Sequence, residues 1–191
     1  MFYDAEQDPL CYPGTSVLIN KAGLQDQREL DEFEFSMFLS RAEEPLPGGV
    51  LDYPHYRSIH RHLFQDVYDW AGEPRTIRIG KGGNWFCFPE NLAHHMTVTF
   101  GALAKAQYLA NLPAAAFAVG AAKTLSEINA GHPFREGNGR AQLAFLRLLV
   151  LNAQLPFDDE ALDPDQTLRA MVSSFAGDLA PLEALVTRIV R

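Results

Sequence analysis

The sequence predicts an all-α domain carrying one small β-hairpin. Three observations lead there. Apolar residues recur at spacings of three and four, most clearly at Tyr56, Ile59, Leu63, Val67 and Trp70. Strand-type alternation is confined to residues 76–88. Prolines mark helix starts and ends rather than helix interiors. A chain of 191 residues can bury a sizeable core, and neither a repeat nor a linker divides it, so residues 1–191 are expected to form a single domain.

In order along the chain, residues 1–27 are expected to be irregular, broken by Pro9, Pro13 and Gly14. A helix is expected over residues 28–42, then a proline and glycine loop over residues 43–49. Residues 54–70 carry the apolar stripe on a second helix. Thr76-Ile77-Arg78-Ile79 alternates, Gly80-Lys81-Gly82-Gly83-Asn84 is turn chemistry, and Trp85-Phe86-Cys87-Phe88 is strand-prone; together they make the hairpin. Helices follow over residues 90–111 and 113–130, the second ended by Pro133, which disfavours a helical His132. Residues 140–154 are apolar almost all round, the mark of a central buried helix, with Asn138 or Gly139 near its N-cap. Asp163-Pro164-Asp165 opens a helix with Leu168, Met171, Val172 and Phe175 on one face, and Pro181 opens the last. Trp70 and Trp85 are expected in the core.

Composition narrows the function. Hydrophobic residues make up 47% and charged residues 21%, as in a globular protein. A formal net charge of -8 argues against loose nucleic-acid binding. Cys11 and Cys87 are too few for a disulfide framework and are expected as reduced thiols. The acidic N-terminus lacks a signal-peptide pattern, and the richest apolar run is interrupted by Arg147. A cytoplasmic protein is expected, with neither nucleic acid nor membrane as partner.

The chemistry is concentrated in His132-Pro133-Phe134-Arg135-Glu136-Gly137-Asn138-Gly139-Arg140. Nine positions hold a proton acceptor, a hard carboxylate ligand, two glycines that bare backbone amides, and two fixed cations. Placed at the start of a helix, those amides form an anion site reinforced by the helix dipole. The set suits chemistry on a bound phosphate.

These residues resemble the Fic family, whose motif is His-x-Phe-x-(Asp/Glu)-Gly-Asn-Gly-Arg-x-x-Arg. Tyr12-Pro13-Gly14-Thr15 and Asn20-Lys21 are similar to its N-terminal segment, the stretch from Ile59 to Gly72 to a second signature, and Lys81-Gly82-Gly83 falls where the family has its flap. The resemblance implies a compact helical bundle with the hairpin as a flap over the active site. It implies transfer of AMP from ATP, with Mg²⁺, to a Tyr, Ser or Thr hydroxyl of a protein. His132 would be the base. Glu136 would bind the metal that bridges the phosphates. Arg135, Glu136, Gly137, Asn138, Gly139 and Arg140 would surround the nucleotide, with Lys81 and Gly82 reaching it from the flap. The target protein would dock at the flap, Lys81 to Phe86, by strand addition. A small antitoxin is a further partner that the resemblance implies.

One departure stands out. The final arginine of the motif falls at Leu143, where the family uses it for the γ-phosphate and as the partner of an inhibitory glutamate. The only Ser-x-x-x-Glu spacing, Ser40 with Glu44, is followed by Pro45 and does not match that inhibitory pattern. Arg147, one turn beyond Leu143, is a candidate substitute. Two alternatives follow: a binding module that has lost turnover, or a transferase using another nucleotide donor. Plainer readings also exist. Glu136 and Arg140 could be a simple i,i+4 ion pair, and Lys81 a solvated turn residue. His60 and His62, two apart on a helix, diverge and make a poor metal pair. No Walker-type loop is present.

Overall fold

In a computed structural model that describes residues 8–81 and 83–190, there are seven α-helices and one two-stranded hairpin. Helix α1 spans Gln27–Ala42, α2 Tyr53–Phe64, α3 Pro89–Lys105, α4 Ala114–Gly131, α5 Asn138–Asn152, α6 Pro164–Phe175 and α7 Ala180–Ile189. Strand β1 is Gly80–Lys81 and β2 is Asn84–Trp85, antiparallel, with Gly80 opposite Trp85 and Lys81 opposite Asn84. No helix among the described residues is long and apolar enough to cross a membrane.

The helix starts follow local chemistry. The Asp26 carboxylate accepts from the backbone amides of Arg28 and Glu29 at α1, Asp52 from His55 at α2, and Asp163 from Gln166 at α6. Pro54, Pro89 and Pro164 occupy first-turn positions, where the missing N–H costs nothing.

Helix α4 is the hub. Ala118, Ala121 and Ala122 are buried with Phe117, Leu125 and Ile128, and their small side chains let neighbours approach closely. Helices α3, α5, α6 and α7 all pack on α4, while α2 packs on α5 and α1 on α2. Between α2, α3 and α5 lies an aromatic cluster. The Tyr56 ring is 5.7 Å from Phe100, 5.5 Å from Phe134 and 5.4 Å from Phe145. Each such ring contributes about 2–3 kcal/mol through burial. Phe134 belongs to the motif loop, so the core itself pins that loop.

Several expectations are corrected. The second helix ends at Phe64, not Trp70. Val67 and Tyr68 both bond back to the Phe64 carbonyl in a turn, and the two ends of that turn are tied elsewhere: Asp66 to Arg41 at 2.6 Å, and the Gly72 amide to His60 Nδ1 at 2.9 Å. The third helix stops at Lys105 because Gln107, Tyr108 and Leu109 take left-handed backbone angles. In α6 the inward face carries Thr167, Ala170, Met171 and Ser174, leaving Leu168 45% and Val172 61% exposed. Helix α5 is not buried all round, since Leu151 is 59% exposed. Trp85 is 43% exposed on the hairpin, where the Arg78 guanidinium at 4.3 Å, rather than the core, covers part of its ring. Cys11 and Cys87 are free thiols.

Candidate active site

The motif loop links the C-terminus of α4 to the N-terminus of α5. Its two boundary residues both have left-handed backbone angles: His132 at φ 46°, ψ 62° and Gly137 at φ 78°, ψ 5°. For glycine this conformation is cheap; for histidine it is strained, and such strain concentrates at functional positions. As expected before Pro133, His132 leaves the right-handed helix and α4 ends there, while the His132 amide still closes the last turn on the Ile128 carbonyl at 2.8 Å.

His132 is buried between the α4 terminus and the flap. Its Nδ1 lies 3.3 Å from the Asn129 carbonyl, which can only accept, so Nδ1 carries the proton and the ring's lone pair is on Nε2. The Phe86 ring stacks on the imidazole at 3.8 Å and 11°. Burial pushes the imidazole pKa down to about 3; the hydrogen bond to the Asn129 carbonyl opposes it, and the nearby charges of Arg75 and Lys81 add smaller downward pushes. His132 is therefore neutral at physiological pH, the form a general base requires.

The backbone of this loop is held by residues that do not face the pocket. The Asn138 amide group accepts from the Phe134 N–H at 2.9 Å and donates to the Phe134 carbonyl at 2.8 Å, closing the loop on itself. Expected at a phosphate, Asn138 is 1% exposed and serves the loop instead. Arg135, also expected at the nucleotide, turns to Asp8 in a buried ion pair at 2.5 Å. Arg75, which sequence reasoning overlooked, donates to the carbonyls of His132 at 2.8 Å, Gly131 at 3.1 Å and Ile77 at 2.7 Å, and to that of Cys87. One buried guanidinium thus ties the flap base to the loop that carries His132. His60, weighed in the sequence only as a metal ligand, also supports the loop. Its Nε2–H donates to the Glu136 carbonyl at 2.9 Å, its Nδ1 accepts from Gly72, and its ring lies 3.7 Å from that of Phe134. Burial drives its pKa to about 3, so it is a neutral strut. His62 goes to the Arg41 carbonyl, away from His60.

Helix α5 begins at Asn138 with Gly137 as N-cap, one or two residues earlier than expected, and no side chain caps it. A Cβ on Gly137 would lie 2.4 Å from the Phe64 ring, whereas one on Gly139 would meet nothing within 4 Å. Gly137 is thus glycine for the fold, and Gly139 stands at an open face beside bare first-turn amides. Arg140 borders that face. Its guanidinium lies 4.5 Å from the Phe64 ring, 2.6 Å from Glu34 of α1 and 3.7 Å from Glu136. Glu34 was not anticipated either. The Glu136 pKa is raised, chiefly by burial and then by Glu34, with the Gly137 amide and Arg140 opposing. Lys81 lies on β1, close enough to His132 for its charge to be felt there. Gly82 lies outside the described residues. Arg147 runs to Asp159 at 3.5 Å, away from the motif.

Glu136 is the residue here suited to a hard cation. Among the described residues no three His, Cys, Asp or Glu side chains converge to hold a metal alone. A single carboxylate beside bare helix amides fits Mg²⁺, which would draw its other ligands from a nucleotide's phosphates and water. The arrangement offers a neutral imidazole, a bare helix N-terminus, a cation and a carboxylate on one loop and the first turn of the helix it opens.

Three comparisons bear on this geometry. A family model described as Fic/DOC family matches residues 50–150. A probable protein adenylyltransferase, y4lH, of Sinorhizobium fredii is 56% identical, with 98% of each chain covered. A probable protein adenylyltransferase, Fic, of Escherichia coli strain K12 is 32% identical over 96% of this chain and 92% of its own. The crystal structure of BepC, a VirB-translocated effector of Bartonella tribocorum with bound AMPPNP, superposes with a TM-score of 0.84, covering 95% of this chain and 96% of its own at 24% identity.

Proposed function

This chain belongs to the Fic/DOC family, and on that basis we propose that it is a protein adenylyltransferase that moves AMP from ATP to a Tyr, Ser or Thr hydroxyl of a target protein. The observation that carries the reading is the placement of a neutral His132 across the motif loop from the uncapped N-terminus of α5 and Arg140. The base and the anion site share one loop, so an incoming hydroxyl and a bound polyphosphate are brought together.

In the reaction, His132 Nε2 takes the hydroxyl proton as the oxygen attacks the α-phosphorus. The bond between the α-phosphorus and the bridging oxygen to the β-phosphate breaks, and pyrophosphate leaves. The first-turn amides of α5 and the Arg140 guanidinium stabilise the charge that develops there. Asn138, His60 and Arg75 move no proton; they hold the loop in register. Glu136 is the proposed Mg²⁺ ligand, and the bound ion would draw charge from the phosphates. Lys81 reaches the nucleotide from the flap. The target segment lies along the flap edge, where it displaces Phe86 from the imidazole.

A small antitoxin stays within the proposal as a further partner. Glu44, the one spacing match to the inhibitory pattern, pairs with Arg41 at 3.0 Å instead of with the motif. ATP as donor places the reaction in a compartment with ATP, for which the cytoplasm is the proposed site. The test is mass spectrometry of a lysate incubated with the protein, ATP and Mg²⁺. AMP on hydroxyl side chains is the expected result; a different added group, or none, overturns the reading.

A further inference from the structure

We infer that Glu34, on α1, is a positioning residue of this site: it holds the Arg140 guanidinium where the departing pyrophosphate will meet it. The inference rests on the adenylyl-transfer reading. Glu34 Oε1 accepts from Arg140 Nη2 at 2.6 Å, the closest of the two carboxylates around that guanidinium, Glu136 being 3.7 Å away. The other Glu34 oxygen accepts from the Tyr68 hydroxyl. The Glu34 side chain is only 12% exposed, so the carboxylate is held at both oxygens in a largely dry setting. The rings of Phe64 at 4.5 Å and Phe38 at 5.2 Å flank the same guanidinium.

An arginine on the first turn of a helix has many rotamers, and few of them face the helix N-terminus. Glu34, Phe38 and Phe64 select one. Glu34 engages Nη2, and a guanidinium has five N–H groups, so donors remain for phosphate oxygens. Tyr68 keeps Glu34 from swinging away and so acts one step further out. The contact joins positions 106 residues apart, which places α1 in the site although it contributes nothing to the motif.

Glu34→Gln keeps the shape and removes the charge. It is expected to lower kcat about tenfold, to change KM for ATP by less than about threefold, and to leave the melting curve in place. Tyr68→Phe should cost less, and the double variant should be no worse than Glu34→Gln alone, because Tyr68 works through Glu34. Nitrogen-15 relaxation at Arg140 Nε, in nucleotide-free protein, should show reduced order in Glu34→Gln. Unchanged kcat and order, or faster transfer, would overturn the role of Glu34. Lost Arg140 order in Glu34→Gln, combined with a wild-type protein that transfers nothing, would sink the reaction but keep the positioning contact.

Discussion

At His132 a strained backbone, a fixed proton and a stacked aromatic lid coincide. The imidazole is neutral because it is dry, and Phe86 supplies much of the dryness. Phe86→Ala should therefore raise the His132 pKa from about 3 towards the ordinary value near 6.5. Titration of the imidazole proton signals by NMR reads this directly; an unmoved pKa would show that the burial comes from elsewhere. His132→Ala should lower transfer by about a hundredfold or more, the usual scale for loss of a general base. Nucleotide affinity, measured by calorimetry, should change little, since the bare amides and Arg140 stay in place.

At the scale of the element, the two motif glycines do different work. Gly137→Ala meets both a positive φ and the Phe64 ring, and is expected to destabilise the protein by about 2–4 kcal/mol. Gly139→Ala meets nothing within 4 Å and sits in helix, so stability should hold or rise slightly while ATP affinity falls about tenfold. Thermal melts beside calorimetry separate the two; a Gly139 variant that loses stability but binds normally would contradict the open face. Helix placement was legible in the sequence because its signals are local: the apolar stripe of α2 and the Asp163 start of α6 are read directly, whereas the caps Asp26 and Asp52 are not. The proposed base His132, the proposed metal ligand Glu136 and the motif cation Arg140 can be named from residue types in a fixed spacing. The supports were not. Arg75, His60 and Glu34 reach the loop from 57, 76 and 106 residues away; Arg75 and Glu34 lie outside every recognisable motif, and His60, though inside a family signature, gives no sign of its partner. For the same reason Asn138 and Arg135 were expected at phosphate, when folded contacts turn one to the loop backbone and the other to Asp8.

For the whole molecule, two buried imidazoles set the acid limit. His60 and His132 both have pKa values near 3 in the fold, against about 6.5 in the unfolded chain. Below about pH 6.5 the unfolded chain binds protons that the native state refuses, so stability falls as pH drops from about 6.5 to about 3 and levels off below. The two together give a slope of at most about 2.7 kcal/mol per pH unit. Glu136, whose pKa is raised by burial, offsets part of this because it binds its proton more readily in the fold. Urea titrations at pH 7 and pH 5 test the sum, and a protein equally stable at both would contradict the neutral, buried state of these rings. The same design explains how one loop serves both halves of the reaction. Core packing fixes Phe134, and the loop then carries the proposed base at one end and the proposed anion site, the uncapped start of α5, at the other.

The most direct test is label transfer to protein from ATP carrying phosphorus-32 at the α or the γ position, with Mg²⁺ present. Label should move from α-labelled ATP only, and should be lost with His132→Ala. Transfer from the γ position, or α-label transfer that persists without the imidazole, would contradict the assignment of His132 as the base for adenylyl transfer.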